Sequence, residues 1–295
     1  GVEMWERFSF YGMQGILAIY LYYSVADGGL GLNKEIALGI VGAYGGAVYL
    51  STIVGAWVAD RLLGAERVLF GSAIVIVAGH IALALLPGVW GVGVGLVLVA
   101  LGSGGLKATA TAVVGTLYAP DDTRRDAGFS LFYLGINLGS FFGPILTGLL
   151  QSRVGFHWGF GLAALGMIAG LVQYSFGRKN LPAEANAVPN PLPRSSYRTA
   201  ILIAIGAVLA LVVLVLVGVI RADNLSSIVI IATLAAAIAY FTLILSSRRI
   251  TSTERSRVWA FLPLFIASVA FWALYQQQFT VLTVYSDLRL DRHIF

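Results

Sequence analysis

Long apolar runs separated by short polar connections organise the 295-residue chain. Each run has about 20 residues, which is the length a helix needs to cross the hydrocarbon core of a bilayer. The pattern therefore predicts an all-α membrane protein with nine spanning helices. The predicted spans are Val2–Tyr23, Ile36–Val58, Val68–Leu86, Val92–Leu117, Phe129–Leu150, Trp158–Phe176, Thr199–Ile220, Ser226–Leu245 and Val258–Leu282.

The composition agrees with a membrane protein. Hydrophobic residues make up 58% of the chain and charged residues only 11%, whereas soluble domains carry roughly 25% charged residues. The chain has no cysteine, which excludes disulfides, thiolate metal sites and cysteine catalysis. It begins with Gly1 and stops shortly after a predicted span, so we expect it to be a fragment of a longer protein.

The positions of the basic residues predict the orientation. If the first helix starts in the cytoplasm, twelve of the 19 lysines and arginines lie in inside connections and five lie outside. This bias follows the positive-inside rule and predicts a cytoplasmic N-terminus. It also accounts for the net charge of +5 without a nucleic-acid partner.

One connection is much longer than the others. The segment Gly177–Arg198 contains four of the eight prolines and has no helical periodicity, so we expect an extended cytoplasmic linker. It follows the sixth predicted span and marks the end of a six-helix unit. The next two spans contain no ionisable residue, and we expect them to face lipid.

Four charged side chains fall within the predicted spans. Glu3, Glu6 and Arg7 have the spacing i, i+3 and i+4 on the first helix, so they share one face. Lys107 lies near the middle of the fourth span, where an ammonium group needs a buried partner. Two acids and two bases in one cavity could form a proton relay. The alternative is that Glu3 and Glu6 lie at the interface and extend into water.

The fifth span has a polar face and a face of small residues. Tyr133 and Asn137 are four residues apart, and Gly135, Gly139 and Gly143 form a ridge on nearly the opposite side. The ridge suits close helix packing. The polar pair could bind a ligand or hold two helices together, and the spacing does not decide between these functions.

A charged turn connects the second and third spans. Asp60, Arg61 and Arg67 lie in the segment GAWVADRLLGAER. Such a cluster could hold helix ends together in one state of a moving bundle, or it could only set the topology.

The sequence contains no arrangement of residues that indicates an enzyme. The three histidines, His80, His157 and His293, lie on different elements without metal-ligand spacing, and no nucleophile and base are paired. We therefore predict no metal site, and we interpret His80 as a residue packed within the third span.

Four segments match signatures of a known family. An E-x-x-E-R signature is matched by EMWERFSFYG, and an F-Y-x-x-I-N signature by FYLGINLGS. A glycine-rich segment ending in lysine is matched by GSGGLKA, and a superfamily loop motif by GAWVADRLLGAER. Because the four occur in order on the expected spans, the chain resembles the proton-dependent oligopeptide transporter family of the major facilitator superfamily.

The resemblance implies a major facilitator superfamily helical bundle. It comprises the N-terminal six-helix half, two inserted helices as in bacterial members, and the first helix of the second half. The implied domains are a six-helix transmembrane bundle at 1–176, a cytoplasmic linker at 177–198, two inserted helices at 199–247 and the truncated start of a C-terminal bundle at 258–295. Five of fourteen helices would be missing, so we expect no transport by the fragment alone.

The resemblance also implies roles for individual residues. It implies a symporter of the cell membrane that imports di- and tripeptides, with protons as the coupling ion and no other cofactor. The proton-coupling residues would be Glu3, Glu6, Arg7 and Lys107. The substrate-binding residues would be Arg7, Tyr11, Tyr49, Lys107, Tyr133, Asn137, Trp272 and Gln276, and the loop-motif residues that control opening would be Asp60, Arg61 and Arg67.

Three positions depart from the family pattern. Ala108 stands where the family usually has proline, Gln14 where many members have arginine, and Gln276 where many have glutamate. The last change puts the usual contact with the peptide amino terminus in doubt. A proton-coupled carrier of another small solute such as nitrate, or a membrane sensor without transport, therefore stays open, as does the oligomeric state.

Overall fold

The computed structural model describes residues 1–119 and 121–291. Within these ranges the chain forms helices and no strand, so the prediction of an all-α fold is confirmed. The end of the predicted 258–295 segment, including His293, lies outside the described residues. The helices are α1 Val2–Tyr22, α2 Lys34–Val58, α3 Ala65–Leu85, α4 Gly88–Gly115, α5 Arg125–Val154, α6 Phe156–Gly177, α7 Tyr197–Leu216, α8 Leu225–Ser246, α9 Ser252–Tyr275 and α10 Val281–Arg289.

Among the described residues, eight helical segments are long and apolar enough to cross a membrane, and one of them comprises α9, the turn after it and α10. They include every predicted span except the first. The helix α1 has a suitable length of 21 residues, but it carries Glu3, Glu6, Arg7 and Gln14 along its polar face. The chain is therefore a multi-pass membrane protein whose first helix is unusually polar.

Glycines bring the first six helices into close contact. On α4, a Cβ atom added to Gly104 would lie 2.6 Å from the carbonyl carbon of Ser51 on α2. On α5, a Cβ atom added to Gly139 would lie 2.8 Å from the backbone nitrogen of Phe8 on α1. The predicted glycine ridge of the fifth span is thus confirmed as a packing face, because only a residue without Cβ allows such backbone approach.

We expect Gly104→Ala to lower the free energy of unfolding by about 1–3 kcal/mol, the usual cost of overpacking. The added methyl group would meet the backbone of Ser51 and Thr52, which cannot move aside as a flexible side chain can. Gly93→Ala on the same helix is the matched control, since a Cβ atom there meets nothing within 4 Å. Thermal unfolding of the two variants in detergent would contradict the prediction if both melted together.

The two helices after the linker pack loosely. The helix α7 is exposed along almost its whole length, whereas α8 packs on the outer face of α2. A Cβ atom added to Gly46 of α2 would lie 2.5 Å from the side chain of Val229 on α8. Gly39 approaches Ser226 at the end of the same interface. The pair therefore adds to the bundle from outside and contributes no charge to its interior.

The last predicted span differs in the structure. The helix α9 begins at Ser252, six residues before the predicted start, because Thr251 and Glu254 form a capping box. It ends at Tyr275, and a 3₁₀ turn at Gln276–Phe279 separates it from α10. Thr283 Oγ1 donates to the carbonyl of Gln278 at 2.7 Å, which satisfies one backbone group released by the break. The prediction of one unbroken helix was therefore wrong.

The predicted linker is only partly extended and lies against the bundle. Three short 3₁₀ turns interrupt it, at Arg178–Asn180, Ala183–Asn186 and Arg194–Ser196. Its backbone nitrogens at Asn190 and Leu192 donate to the carbonyls of Asp60 and Arg61, both at 2.9 Å. Prolines prevent a regular helix here, so these backbone groups are satisfied by the turn between α2 and α3 instead.

Candidate functional site

Three charged residues of α1 form a buried cluster. The acids Glu3 and Glu6 occupy the first two helical turns, and Arg7 lies between them on the same face. Arg7 Nη2 is 2.7 Å from Glu3 Oε1 and Arg7 Nε is 3.4 Å from Glu6 Oε2. Both acids are buried. The alternative that they simply extend into water does not fit this arrangement.

Lys107 of α4 completes the cluster from the opposite side. Its Nζ lies 3.8 Å from Glu6 Oε1 and 4.6 Å from the centre of the Phe10 ring. The Lys107 side chain is only 10% exposed, and that of Glu6 is fully buried. Glu6 therefore lies between two cations, and the four groups are formally neutral together when all are ionised.

Such a cluster has few stable arrangements. A buried charge that loses its partner is strongly destabilised, because neither water nor a counter-ion replaces the lost contact. Adding one proton to Glu3 or Glu6 would leave one cation in excess. The arrangement can therefore couple the protonation of a carboxylate to the release of Arg7 or Lys107 toward another anion.

The other predicted ligand-binding residues do not join this cluster. Tyr133 is 58% exposed and Asn137 is also exposed on α5, away from the ridge that packs on α1. Tyr11 instead stacks on Phe279 at 5.7 Å between ring centres. Within residues 1–119 and 121–291, none of the remaining predicted ligand-binding residues makes a hydrogen bond or an ion pair to the four charged side chains. These residues are Tyr11, Tyr49, Tyr133, Asn137, Trp272 and Gln276.

Residues far apart in sequence join α1 to α10. The hydroxyl groups of Tyr22 and Tyr23 donate to the two carboxylate oxygens of Asp287 at 2.7 and 2.8 Å. A cavity of about 330 Å³ lies beside this contact and is lined in part by Gly15 and Gln278. Sequence reasoning missed the contact, because 264 residues separate Tyr23 from Asp287 and no local pattern connects them.

In the described part of the chain, the charged residues of the turn between α2 and α3 do not form the ion pairs expected of a charge cluster. Asp60 and Arg67 are exposed, and among the described residues neither they nor Arg61 form an ion pair. The neighbouring Glu66 is the buried acid. Arg178 Nε is 2.8 Å from Glu66 Oε1, and Arg178 Nη2 donates to Glu66 Oε2 at 2.9 Å.

A sequence signal for Glu66 did exist. Glu66, Leu69, Ala73, Ile76 and His80 are all buried on α3 and recur at the spacing of one helix face. An acid on such a stripe must be paired. The partner could not be identified in advance, because Arg178 lies 112 residues away.

Metal binding has no support in the described part of the chain, where no group of three or more His, Asp or Glu side chains could hold an ion. His80 is fully buried, in agreement with its interpretation as a packed residue. His157 belongs to α6 and lies near the C-terminal end of α3, where its Nδ1 atom is hydrogen-bonded to the carbonyl of Leu83 at 3.2 Å.

Comparisons with known proteins agree on one family. Residues 66–294 match the model of the POT family (PTR2). The chain is 42% identical over 295 residues to a di-/tripeptide transporter of Lactococcus lactis subsp. lactis, strain IL1403, covering 97% of this chain and 59% of that protein. It is 43% identical over 290 residues to the uncharacterized transporter YclF of Bacillus subtilis, strain 168, covering 98% of this chain and 59% of that protein.

A solved structure has the same fold. The crystal structure of a peptide transporter POT in complex with sulfate aligns with a TM-score of 0.93 and 45% identity. The alignment covers 99% of this chain and 61% of that one, so the chain spans about three fifths of the length of these proteins. The signatures on four spans, the bundle and these comparisons together establish that the chain belongs to the POT family.

Proposed function

We propose that the complete protein is a proton-coupled symporter, and not an enzyme, that imports di- and tripeptides across the cell membrane by alternating access. Family membership and the similarity to the di-/tripeptide transporter of Lactococcus lactis support the substrate class. The observation that carries the coupling is the position of Glu6 between Arg7 and Lys107. Protons are the coupling ion, and the N-terminus lies in the cytoplasm.

The buried charges suggest how coupling works. With Glu3 and Glu6 ionised, they hold Arg7 and Lys107 in ion pairs. A proton on either carboxylate weakens these pairs, so a cation becomes available to the carboxylate of a peptide. Proton binding and peptide binding then favour the same state, as symport requires.

The remaining site residues belong to the same proposal. The side chains of Tyr49, Tyr133, Asn137 and Trp272 are exposed along the first half of the transporter and its first C-terminal helix. Together with Tyr11 and Gln276 they would line the peptide cavity against the part of the protein beyond this chain. Asp60, Arg61 and Arg67 would lie at the cytoplasmic end, where exposed charges can pair in one state of the cycle.

The test is uptake by the full-length protein in liposomes. An inward proton gradient should drive accumulation of a labelled dipeptide, and Glu6→Gln should remove the dependence on the gradient. Gradient-driven nitrate uptake without dipeptide uptake would favour a carrier of small anions. Absence of uptake for both solutes would favour a sensor and contradict the proposal.

The glutamine at position 276 predicts that peptides with a blocked amino terminus still bind well. It begins the 3₁₀ turn after α9 and is half-buried, and as an amide it offers a peptide ammonium group no negative charge. Charge-assisted hydrogen bonds are about twice as strong as neutral ones. We therefore expect acetylated dipeptides to compete with labelled dipeptide about as well as free ones.

Gln276→Glu should restore discrimination by at least about tenfold, equivalent to ~1.4 kcal/mol. Gln277→Glu is the matched control, since the neighbouring Gln277 is exposed on the same turn and should leave the ratio unchanged. If the wild type already discriminates tenfold or more, an acid elsewhere in the complete protein supplies the charge and this account of Gln276 is wrong.

A further inference from the structure

Two buried polar side chains of α3 and α4 have no part in the charged cluster described above. His80 on α3 and Ser103 on α4 are both fully buried. Among the described residues, neither ring nitrogen of His80 makes a hydrogen bond, and Ser103 Oγ has no hydrogen-bond partner. The two carboxylate oxygens of Glu6 also lack a hydrogen bond there and have only their ion pairs.

The packing of α3 against α4 explains why these groups meet. A Cβ atom added to Gly79 would lie 2.8 Å from the backbone nitrogen of Val99, and one added to Gly102 would lie 2.9 Å from that of Ile76. His80 and Ser103 therefore follow the two closest points of this interface. Side chains lean toward the N-terminus of their own helix, and because these helices are antiparallel, the two lean toward each other.

Glu6 reaches the same place from α1. Its Oε1 lies 3.8 Å from Lys107 Nζ, and Ser103 lies one helical turn before Lys107 on α4. The hydroxyl of Tyr44 on α2 is also buried without a partner in the described ranges, and its ring lies 5.9 Å from that of Phe10, which Lys107 Nζ contacts. Four polar groups, those of Glu6, Tyr44, His80 and Ser103, thus converge from four helices.

Buried polar groups without partners are rare because they lose hydration without compensation. One bound water needs about two to four polar partners, and Glu6, His80 and Ser103 provide that number. We propose that these three residues hold a water molecule, and that His80 is a positioning residue which sets how readily Glu6 takes a proton. This inference rests on the proposed role of Glu6 in proton coupling.

The hydrogen bonds define the role of each partner. A neutral imidazole accepts one hydrogen bond from the water through its unprotonated nitrogen. The second water proton then points at the Glu6 carboxylate and stabilises its charge. Without the His80 ring, the water loses one of its hydrogen-bond partners and stabilises the Glu6 carboxylate less. Glu6 then takes a proton at higher pH.

Other titratable groups face α3 from α6 and from the charged cluster around Glu6. The α6 groups lie at the two ends of α3, where His157 bonds to the Leu83 carbonyl and Tyr174 and Arg178 contact Glu66. Those beside Glu6 are Glu3 and Arg7 from α1 and Lys107 from α4, with Tyr44 of α2 packed on the neighbouring Phe10.

The experiment is an infrared titration of the full-length protein in nanodiscs, with the protonated carboxyl band of Glu6 assigned by its loss in Glu6→Gln. We expect His80→Phe to move the midpoint of this band to higher pH by about one unit, as the loss of a hydrogen bond to a charged group would. His80→Gln, which keeps a polar end, should recover most of the shift.

Two matched controls separate this role from a loss of packing. His157→Phe removes a histidine that is bonded elsewhere, and Thr109→Val removes a buried α4 hydroxyl that bonds to the Gly105 carbonyl. Both should leave the midpoint unchanged. Ser103→Ala should move it in the same direction as His80→Phe, and it tests the site even if His80→Phe does not fold.

An unchanged midpoint in both His80→Phe and Ser103→Ala would overturn the inference. So would equal shifts in the controls, or a Glu6 band that does not titrate in the wild type. The titration needs no substrate. Failure of peptide uptake alongside an intact shift would therefore contradict the proposed function and leave the inference about His80 standing.

Discussion

Lys107→Ala should abolish proton-driven peptide uptake by the full-length protein. The Lys107 ammonium group is almost buried and lies 3.8 Å from Glu6 Oε1. Its loss leaves a buried acid with one cation fewer, and breaking a buried pair typically costs about 3–5 kcal/mol. The buried acid then has to be protonated throughout the cycle, so we expect accumulation against a gradient to fall to the level of protein-free liposomes.

The measurement is concentrative uptake of a labelled dipeptide into liposomes at matched protein density. Lys107→Arg keeps the charge and should retain part of the activity. Lys34→Ala is the control, because Lys34 is exposed at the start of α2. Thermal unfolding in detergent checks that each variant is folded. Near-normal accumulation by Lys107→Ala would show that the cluster does not need this cation.

Glu66→Ala should have the largest effect on stability. Arg178 holds the Glu66 carboxylate with two short contacts, of 2.8 and 2.9 Å, and its guanidinium group lies 3.8 Å above the Phe70 ring. Removing the carboxylate leaves the arginine without its partner at the base of α3 and α6. We expect the free energy of unfolding to fall by about 3–5 kcal/mol.

Thermal unfolding of the purified protein in detergent measures this change. Arg67→Ala is the matched control, since Arg67 is the next residue on the same helix but is exposed. Replacing Glu66 and Arg178 together by glutamine should cost less than the sum of the two single changes, because neither charge is then left alone. Equal melting of Glu66→Ala and Arg67→Ala would contradict the assignment of a buried pair.

Much of the architecture could be predicted from the sequence. The lengths of the apolar runs predicted eight spans that the described residues contain, because the bilayer thickness fixes how many apolar residues a helix needs. The glycine ridge on α5 predicted its packing face for a similarly local reason. Lys107 was expected to be buried and paired because a charge in mid-membrane has no other low-cost arrangement.

Other features needed the tertiary structure. The break after Tyr275 went unnoticed, because hydrophobicity continues across it and the released backbone groups are satisfied by hydroxyls such as that of Thr283. The linker was expected to be extended, yet its backbone hydrogen-bonds to the turn at Asp60 and Arg61. In both cases the deciding partner is a neighbouring group that hydropathy does not describe.

By itself, the sequence determined the number of spans, the all-α architecture and the need for partners around its buried charges, since each follows from the cost of placing local residue types in lipid. The tertiary structure alone decided the identity of those partners. It paired Glu66 with Arg178 and Asp287 with Tyr22 and Tyr23, and it brought Lys107 beside Glu6. These contacts join helices more than 70 residues apart in the chain, and they depend on how the helices pack, which no short-range pattern specifies.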